Sequence, residues 1–139
     1  MFVLSDLNDS VIIDFDDVKR MVTLSSELYS ELRAVVMIEL MYSCGLRVSE
    51  LVGIDMNDLD LDEGFVRVKG KGGKTRFSPI GSSAINAVEM YLSKRPSCEN
   101  NALFVNQNNH RISTRSIQNI VKKRALEVGI TVNVHPHML

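Results

Sequence analysis

A mixed α and β fold, mainly helical with a small antiparallel sheet, follows from three features of this 139-residue chain. Apolar residues recur at helical spacing over several long stretches. Two short strand-like runs flank a turn rich in glycine and lysine. No internal repeat, low-complexity tract or Gly/Ser linker divides the chain. With 45% apolar residues it can bury one core, removing about two-thirds of the unfolded surface on folding.

Residues 1–13 read as a lead-in, a mixed polar segment followed by a brief extended run of Val11, Ile12 and Ile13, and the domain itself occupies 14–139. Asp14 or Asp16 can cap a first helix through Val18, Met21, Val22 and Leu24, with acids at the positive end of its dipole. A second helix starts near Ser26. Its stretch over residues 34–46 is apolar apart from Glu39 and Ser43, too apolar for a surface helix, and so reads as the buried axis, with Met37, Met41, Tyr42 and Cys44 in the core. At Gly45 and Leu46 a tight turn ends this helix and begins another, with Arg47 in the new first turn and Val48, Leu51 and Val52 at core spacing.

Acids alternate with Leu59 and Leu61 over residues 58–62, the pattern of a strand with one buried face, before a turn at Glu63 and Gly64. The runs Phe65-Val66-Arg67-Val68-Lys69 and Arg76-Phe77-Ser78-Pro79-Ile80 complete three short antiparallel strands. Between them Gly70, Gly72 and Gly73 form a hairpin tip that carries Lys71 and Lys74, with Arg76 just beyond. Gly81, Ser82 and Ser83 start a helix with Ile85, Val88, Tyr91 and Leu92 on one face, ending near Lys94, Arg95 and Pro96. Leu103, Phe104 and Val105 form a buried extended piece, and residues 106–109 a polar loop. Ser113 caps a last helix with Ile117, Ile120, Val121, Ala125 and Leu126 inward; Arg115, Lys122, Lys123 and Arg124 take its other positions.

The net charge of −1 conceals a segregation along the chain. Residues 1–63 hold 14 acids and 4 bases, and residues 64–139 hold 3 and 12. A basic face on the second half would draw polyanions and supply sequence-independent DNA binding by counterion release. Cys44 and Cys98 have neither CxxC spacing nor a histidine cluster, and read as ordinary thiols. No membrane span or secretory leader is evident in the sequence, which gives a cytoplasmic expectation.

The string Gly45-Leu46-Arg47-Val48-Ser49-Glu50-Leu51, the aspartates Asp55, Asp58 and Asp60, and the stretch VRVKGKGGKTRFSPIG over residues 66–81 together resemble the catalytic domain of the tyrosine recombinases, nearest in wording to the Xer resolvases. The resemblance runs from about Asp14 to His135-Pro136-His137-Met138-Leu139. It implies a tyrosine recombinase catalytic-domain fold, a double-stranded DNA substrate, no metal or other cofactor, and cleavage and rejoining through a 3′-phosphotyrosyl intermediate.

Metal-free cleavage of a phosphodiester needs cations on the non-bridging oxygens, a nucleophile, and an acid for the departing sugar oxygen. Arg47 suits the first role, because a guanidinium grips phosphate as a two-toothed fork and stays charged; the alternative is a helix-surface arginine paired with Glu50. Lys71 suits the acid role. Its Gly-Lys-Gly setting matches the family's catalytic hairpin lysine better than that of Lys74, while an ordinary solvated turn would also accept these residues. The resemblance makes Lys69, Lys74 and Arg76 phosphate contacts and His137 a hydrogen-bond donor to the scissile phosphate. The basic last helix adds Arg115, Lys122 and Lys123 as DNA-binding candidates. His135 and His110 have no motif setting.

Beyond Leu139 the family pattern calls for a second arginine and the nucleophilic tyrosine. Tyr29, Tyr42 and Tyr91 all fall in upstream helices outside that pattern. The expectation is therefore a partial catalytic domain, inactive and monomeric alone, whose parent assembles with other protomers as a synaptic tetramer. Two rivals stand beside it, a DNA-binding or regulatory module without chemistry and an interaction domain that uses its acidic half on a protein partner; within the family, an integron or phage-type integrase is the alternative to Xer.

Overall fold

The computed structural model describes residues 2–4, 11–24 and 28–130, giving only the backbone path for 2–4 and 11–13. Strands β1 (Phe2–Leu4) and β2 (Val11–Ile13) pair antiparallel, with Phe2 opposite Ile13, so the lead-in contains a small two-stranded sheet. Helix α1 (Phe15–Val22) starts at an Asp14 cap. Asp14 Oδ1 accepts from the Asp17 N–H at 2.8 Å and Asp17 Oδ2 accepts from the Asp14 N–H at 3.2 Å, a reciprocal box built from two aspartates.

Helix α2 (Tyr29–Ser43) is the axis that its apolar sequence predicts. Leu32, Ala34, Val35, Val36, Met37, Ile38, Leu40 and Met41 are all buried, and α1, α3 (Val48–Val52), α4 (Ser82–Lys94) and α5 (Thr114–Glu127) pack around it. The expected start near Ser26 lies outside the described residues. Tyr42, expected in the core, is 37% exposed on the last turn. Gly45 then takes φ +65°, the left-handed step that ends a helix without a Cβ penalty, and Leu46 turns back into the core.

Strands β3 (Leu59–Asp60), β4 (Phe65–Lys69) and β5 (Thr75–Pro79) form the predicted three-stranded antiparallel sheet in sequence order. The first is shorter than the alternation over 58–62 suggests. The Asp60 carbonyl accepts from the Gly64 N–H at 2.8 Å and its carboxylate from the Glu63 N–H at 3.0 Å, closing a turn that takes Leu61 and Asp62 out of the ladder. Asp58 instead ends a 3₁₀ turn, Met56–Asp58, and is buried.

Tyr91 of α4 is fully buried and donates its hydroxyl to the Leu103 carbonyl at 2.7 Å, fixing the segment 102–105 beneath the helix. In α5, Ile117, Val121 and Ala125 face the core as expected, but Leu126 is 64% exposed and Arg124 is buried. Helical geometry gives the reason: Leu126 lies nine residues from Ile117, about half a turn away, whereas Arg124 lies seven residues on, back on the inward face. There Arg124 donates to the Met21 carbonyl at 2.8 Å and the Thr23 carbonyl at 2.6 Å, and pairs with Glu31 at 3.1 Å. It is a structural tie between α5, α2 and the end of α1, not part of a basic outer face.

Candidate functional site

Arg47 sits at the N-cap of α3, in extended backbone conformation, with its side chain exposed. An arginine has no acceptor, so it cannot cap the helix with its own side chain. Glu50, three residues on, reaches back instead and accepts from the Arg47 N–H at 2.9 Å through Oε1. The buried Val48 and Leu51 anchor this short helix in the core, which fixes the direction in which Arg47 leaves the surface.

The same Glu50 carboxylate receives Arg76 of β5 as a fork, at 2.6 Å to Oε2 and 3.2 Å to Oε1. Arg76 stands opposite Val68 in the hairpin, so its side chain leaves the sheet on the core-facing side and meets α3 at the rim. The Arg76 guanidinium, helped by the Arg47 N–H, holds the Glu50 carboxyl below the usual carboxylate range against the effect of burial.

Alternate residues of β4 point the other way and make a second tie. Asp58 accepts from Arg67 at 2.8 Å, from Lys69 at 3.2 Å and from the Asp55 N–H at 2.8 Å. Burial pushes Asp58 up, but these three donors outweigh it and its carboxyl is held low. Asp55 binds Lys69 at 2.8 Å and also Arg111, which donates further to the Val52 carbonyl at 2.8 Å. Lys69 and then Arg111 hold the Asp55 carboxyl low, and Asp55 in turn raises Lys69.

The charge segregation along the chain therefore does not become two opposed faces. Glu31, Glu50, Asp55 and Asp58 from the acidic half are paired with Arg124, Arg76, Lys69, Arg111 and Arg67 from the basic half. This corrects the expectation of a uniformly basic second half. Lys69 and Arg76, expected as phosphate contacts, both spend their charge on carboxylates in this structure.

Beyond β4 and β5 the hairpin closes through a 3₁₀ turn, Lys71–Gly73, with the Gly70 N–H donating to the Lys74 carbonyl at 2.6 Å. Gly72 and Gly73 hold φ of +75° and +78°, so the tip has a shape that residues with a Cβ resist. Lys71 and Lys74 are exposed there, and among the described residues neither they nor the Arg47 side chain forms an ion pair. Arg115 and Lys123 are exposed on α5, likewise without a described ion pair, and Lys122 is half-buried on the same helix. His110 is exposed in its loop. His135 and His137 lie outside the described residues.

Cys44 and Cys98 are free thiols, Cys44 buried beside the Pro79 carbonyl at 3.4 Å. Among the described residues no cluster of His, Cys, Asp and Glu could hold a metal ion, and no helix is long and apolar enough to cross a membrane. Sequence reasoning missed Arg67, Arg95 and Arg111 as structural ties. Arg95 donates to the carbonyls of Asn100 and Ala102 at 2.8 and 2.6 Å and so organises the loop after α4.

A mainly helical domain with a three-stranded antiparallel sheet, whose Gly-Lys hairpin is tied to an arginine-bearing helix turn, has the fold of the tyrosine recombinase catalytic domain. The solved structure of a XerA recombinase superposes with a TM-score of 0.76 at 26% identity, over 91% of this chain and 46% of that one. A XerH site-specific recombinase, solved bound to its difH substrate in a pre-cleavage complex, shares the fold with a TM-score of 0.69 at 19% identity, over 87% of this chain and 37% of that one. Residues 12–139 match the phage integrase family, and the chain belongs to it. It is similar to a tyrosine recombinase XerC of Actinobacillus pleuropneumoniae serotype 7, 43% identical over 129 residues, 91% of this chain and 42% of that protein. The chain thus spans less than half the length of that relative.

Proposed function

We propose that this domain is the phosphate-gripping part of a Xer-like tyrosine recombinase, which cuts and rejoins double-stranded DNA at a specific site in the cytoplasm without metal or nucleotide. Residues 14–139 are the partial catalytic domain in this reading. The observation that carries it is the junction of two cation-bearing turns. Glu50 and Arg76 tie the Arg47 turn to the Lys71 and Lys74 hairpin, and the side chains left without described carboxylate partners there are Arg47 and the two lysines.

Each group then has a role set by its chemistry. Arg47 binds non-bridging oxygens of the scissile phosphate. Lys71 protonates the departing 5′ oxygen and opposes its developing charge. Lys74, Arg115, Lys122 and Lys123 grip neighbouring phosphates, which fixes register without reading bases. His137 is a further hydrogen-bond donor to the scissile phosphate in the parent protein. The tyrosine nucleophile, the second arginine and the other protomers of a synaptic tetramer belong to that parent; the chain by itself is an inactive monomer.

The test is a titration of the 139-residue chain with duplex DNA at two ionic strengths. Binding should be weak, about 10⁻⁴ to 10⁻⁶ M, with little sequence preference and a steep loss with salt. Equal affinity at both salt concentrations would overturn the reading.

A further inference from the structure

Arg76 of the hairpin is engaged by the residue that caps the Arg47 turn. Its two terminal nitrogens both close on Glu50, whose Oε1 is shared between Arg76 and the Arg47 backbone N–H. The Glu50 side chain is only 13% exposed while that of Arg76 is 48% exposed, so the carboxylate is the fixed member and the arginine closes over it. A short helix of five residues, capped by a side chain from within itself, has little intrinsic persistence. Fixing Glu50 from outside therefore adds to the hold that buried Val48 and Leu51 have on the backbone that aims Arg47.

On the opposite face of the sheet, Arg67 and Lys69 clamp β4 to Asp58 and Asp55. The two ties grip the hairpin on both faces of its sheet just before the turn that carries Lys71. Because Arg76 and Lys71 share one hairpin, the Arg76–Glu50 pair joins the buried Ser78–Cys44 contact at 3.1 Å in holding the Arg47 turn in register with the tip lysine.

We infer that Arg76 is a positioning residue, acting through Glu50 to orient Arg47 relative to the hairpin tip, and is not itself a phosphate contact. This rests on the reading of Arg47 and Lys71 as phosphate ligands. The chemistry separates the two roles. A residue that neutralises a phosphate releases counterions, so its removal lowers the salt slope of DNA binding by about 0.9; a residue acting through another protein group leaves the slope alone.

The experiment uses the 139-residue chain with Arg76→Gln, Arg76→Lys, Glu50→Gln, the Glu50→Gln/Arg76→Gln double variant and Lys71→Gln. Duplex DNA binding is measured across a salt series, and the Arg47 backbone and side-chain N–H signals are followed by NMR without DNA. Arg76→Gln should weaken binding by about two- to fivefold with the slope unchanged, whereas Lys71→Gln should lower the slope by about 0.9. Arg76→Gln and Glu50→Gln should each shift the Arg47 signals, and the double variant should do no more than the larger single change. Arg76→Lys, which keeps the charge without the fork, should fall between wild type and Arg76→Gln.

A slope lowered by about 0.9 in Arg76→Gln, with the Arg47 signals unmoved, would make Arg76 a phosphate contact and overturn the inference. Failure of the wild-type chain to bind DNA at all would defeat the proposed function, yet the NMR comparison would still decide whether Arg76 orients Arg47.

Discussion

Arg76 and Glu50, separated by 26 residues in the chain, form a fork at 2.6 and 3.2 Å that joins the hairpin to the helix turn bearing Arg47. Its strength depends on Glu50 being ionised. Glu50, Asp55 and Asp58 all have carboxyls held below their ordinary values, Glu50 chiefly by Arg76, Asp55 chiefly by Lys69, and Asp58 by its three donors against burial. A depressed folded pKa contributes stability that is present in full above the unfolded value, near about 4, and is lost as pH falls through the folded value. Urea midpoints should therefore be flat from neutral pH down to about 5 and fall below it. Glu50→Gln should show a lower midpoint at pH 7 and a shallower acid loss; an acid limb as steep as wild type would remove Glu50 from the account.

Arg124 tests the buried tie between α5 and the front of the domain. Its side chain is 7% exposed and that of its partner Glu31 is 10% exposed. Replacing Arg124 with Ala removes the guanidinium that pairs with Glu31 and that donates to the carbonyls of Met21 and Thr23. Breaking such a pair from one side costs about 3 to 5 kcal/mol, read as a lower urea midpoint with little change in the denaturant slope. A loss below about 1 kcal/mol would place Arg124 with ordinary surface pairs.

The helices were legible because burial imposes a period on the sequence. The apolar run of α2, the Asp14 and Ser113 caps and the Gly45 break all correspond to observed features. The Gly45 turn before Arg47 and the Gly-Lys hairpin were legible because few residue types suit a left-handed backbone. The cross-chain ion pairs were not. Composition shows which charges exist, but only the tertiary path brings Asp55 against Lys69 and Arg111, or Glu50 against Arg76. Reading charge by sequence position therefore gave the second half a basic face although five of its bases fold onto acids, Lys69 and Arg76 of the assigned DNA contacts among them. Arg124 could have been placed inward by its spacing from Ile117 and Val121, had charge not been allowed to outweigh periodicity.

The two thiols should differ in reactivity. Burial pushes the Cys44 thiol up, and it lies under Pro79, while Cys98 is half-buried in the loop after α4. With a thiol-specific reagent at pH 8, Cys98 should react first and Cys44 only at the rate of local opening or unfolding. Equal rates would show that the α2 terminus opens readily and that Arg47 is less firmly held than its buried neighbours indicate.

Lys71 and Lys74 are separable in a parent protein that carries the whole active site. Lys71→Ala should slow strand cleavage by about 10² to 10⁴-fold while weakening DNA binding far less, because a general acid acts chiefly in the transition state. A substrate with a 5′-bridging thiol leaving group needs no proton and should restore the rate. Loss without that rescue would make Lys71 a positioning contact and transfer the acid role to Lys74.

The tyrosines of this chain should not attack DNA. Tyr91 is fully buried, with its hydroxyl donated to the Leu103 carbonyl, and burial followed by the neighbouring Tyr29 pushes its phenol far up. Tyr29 stacks on it at 5.5 Å between centroids, its hydroxyl 3.5 Å from that of Tyr91. A nucleophile must be exposed and activated by a neighbouring base or a lowered pKa, and this pair is arranged for packing. The 139-residue chain should therefore form no denaturant-resistant complex with nicked duplex DNA, although Arg47 and Lys71 are present, because cations cannot stabilise an intermediate that no nucleophile forms. Tyr91→Phe should cost about 1 kcal/mol of stability through the lost hydrogen bond and leave DNA affinity unchanged. Mixing the chain with a separately made C-terminal piece bearing a second arginine and a tyrosine should create the covalent band. A band from the chain alone, lost in Tyr29→Phe, Tyr42→Phe or Tyr91→Phe, would identify an attacking tyrosine within these helices and displace the assignment of this site.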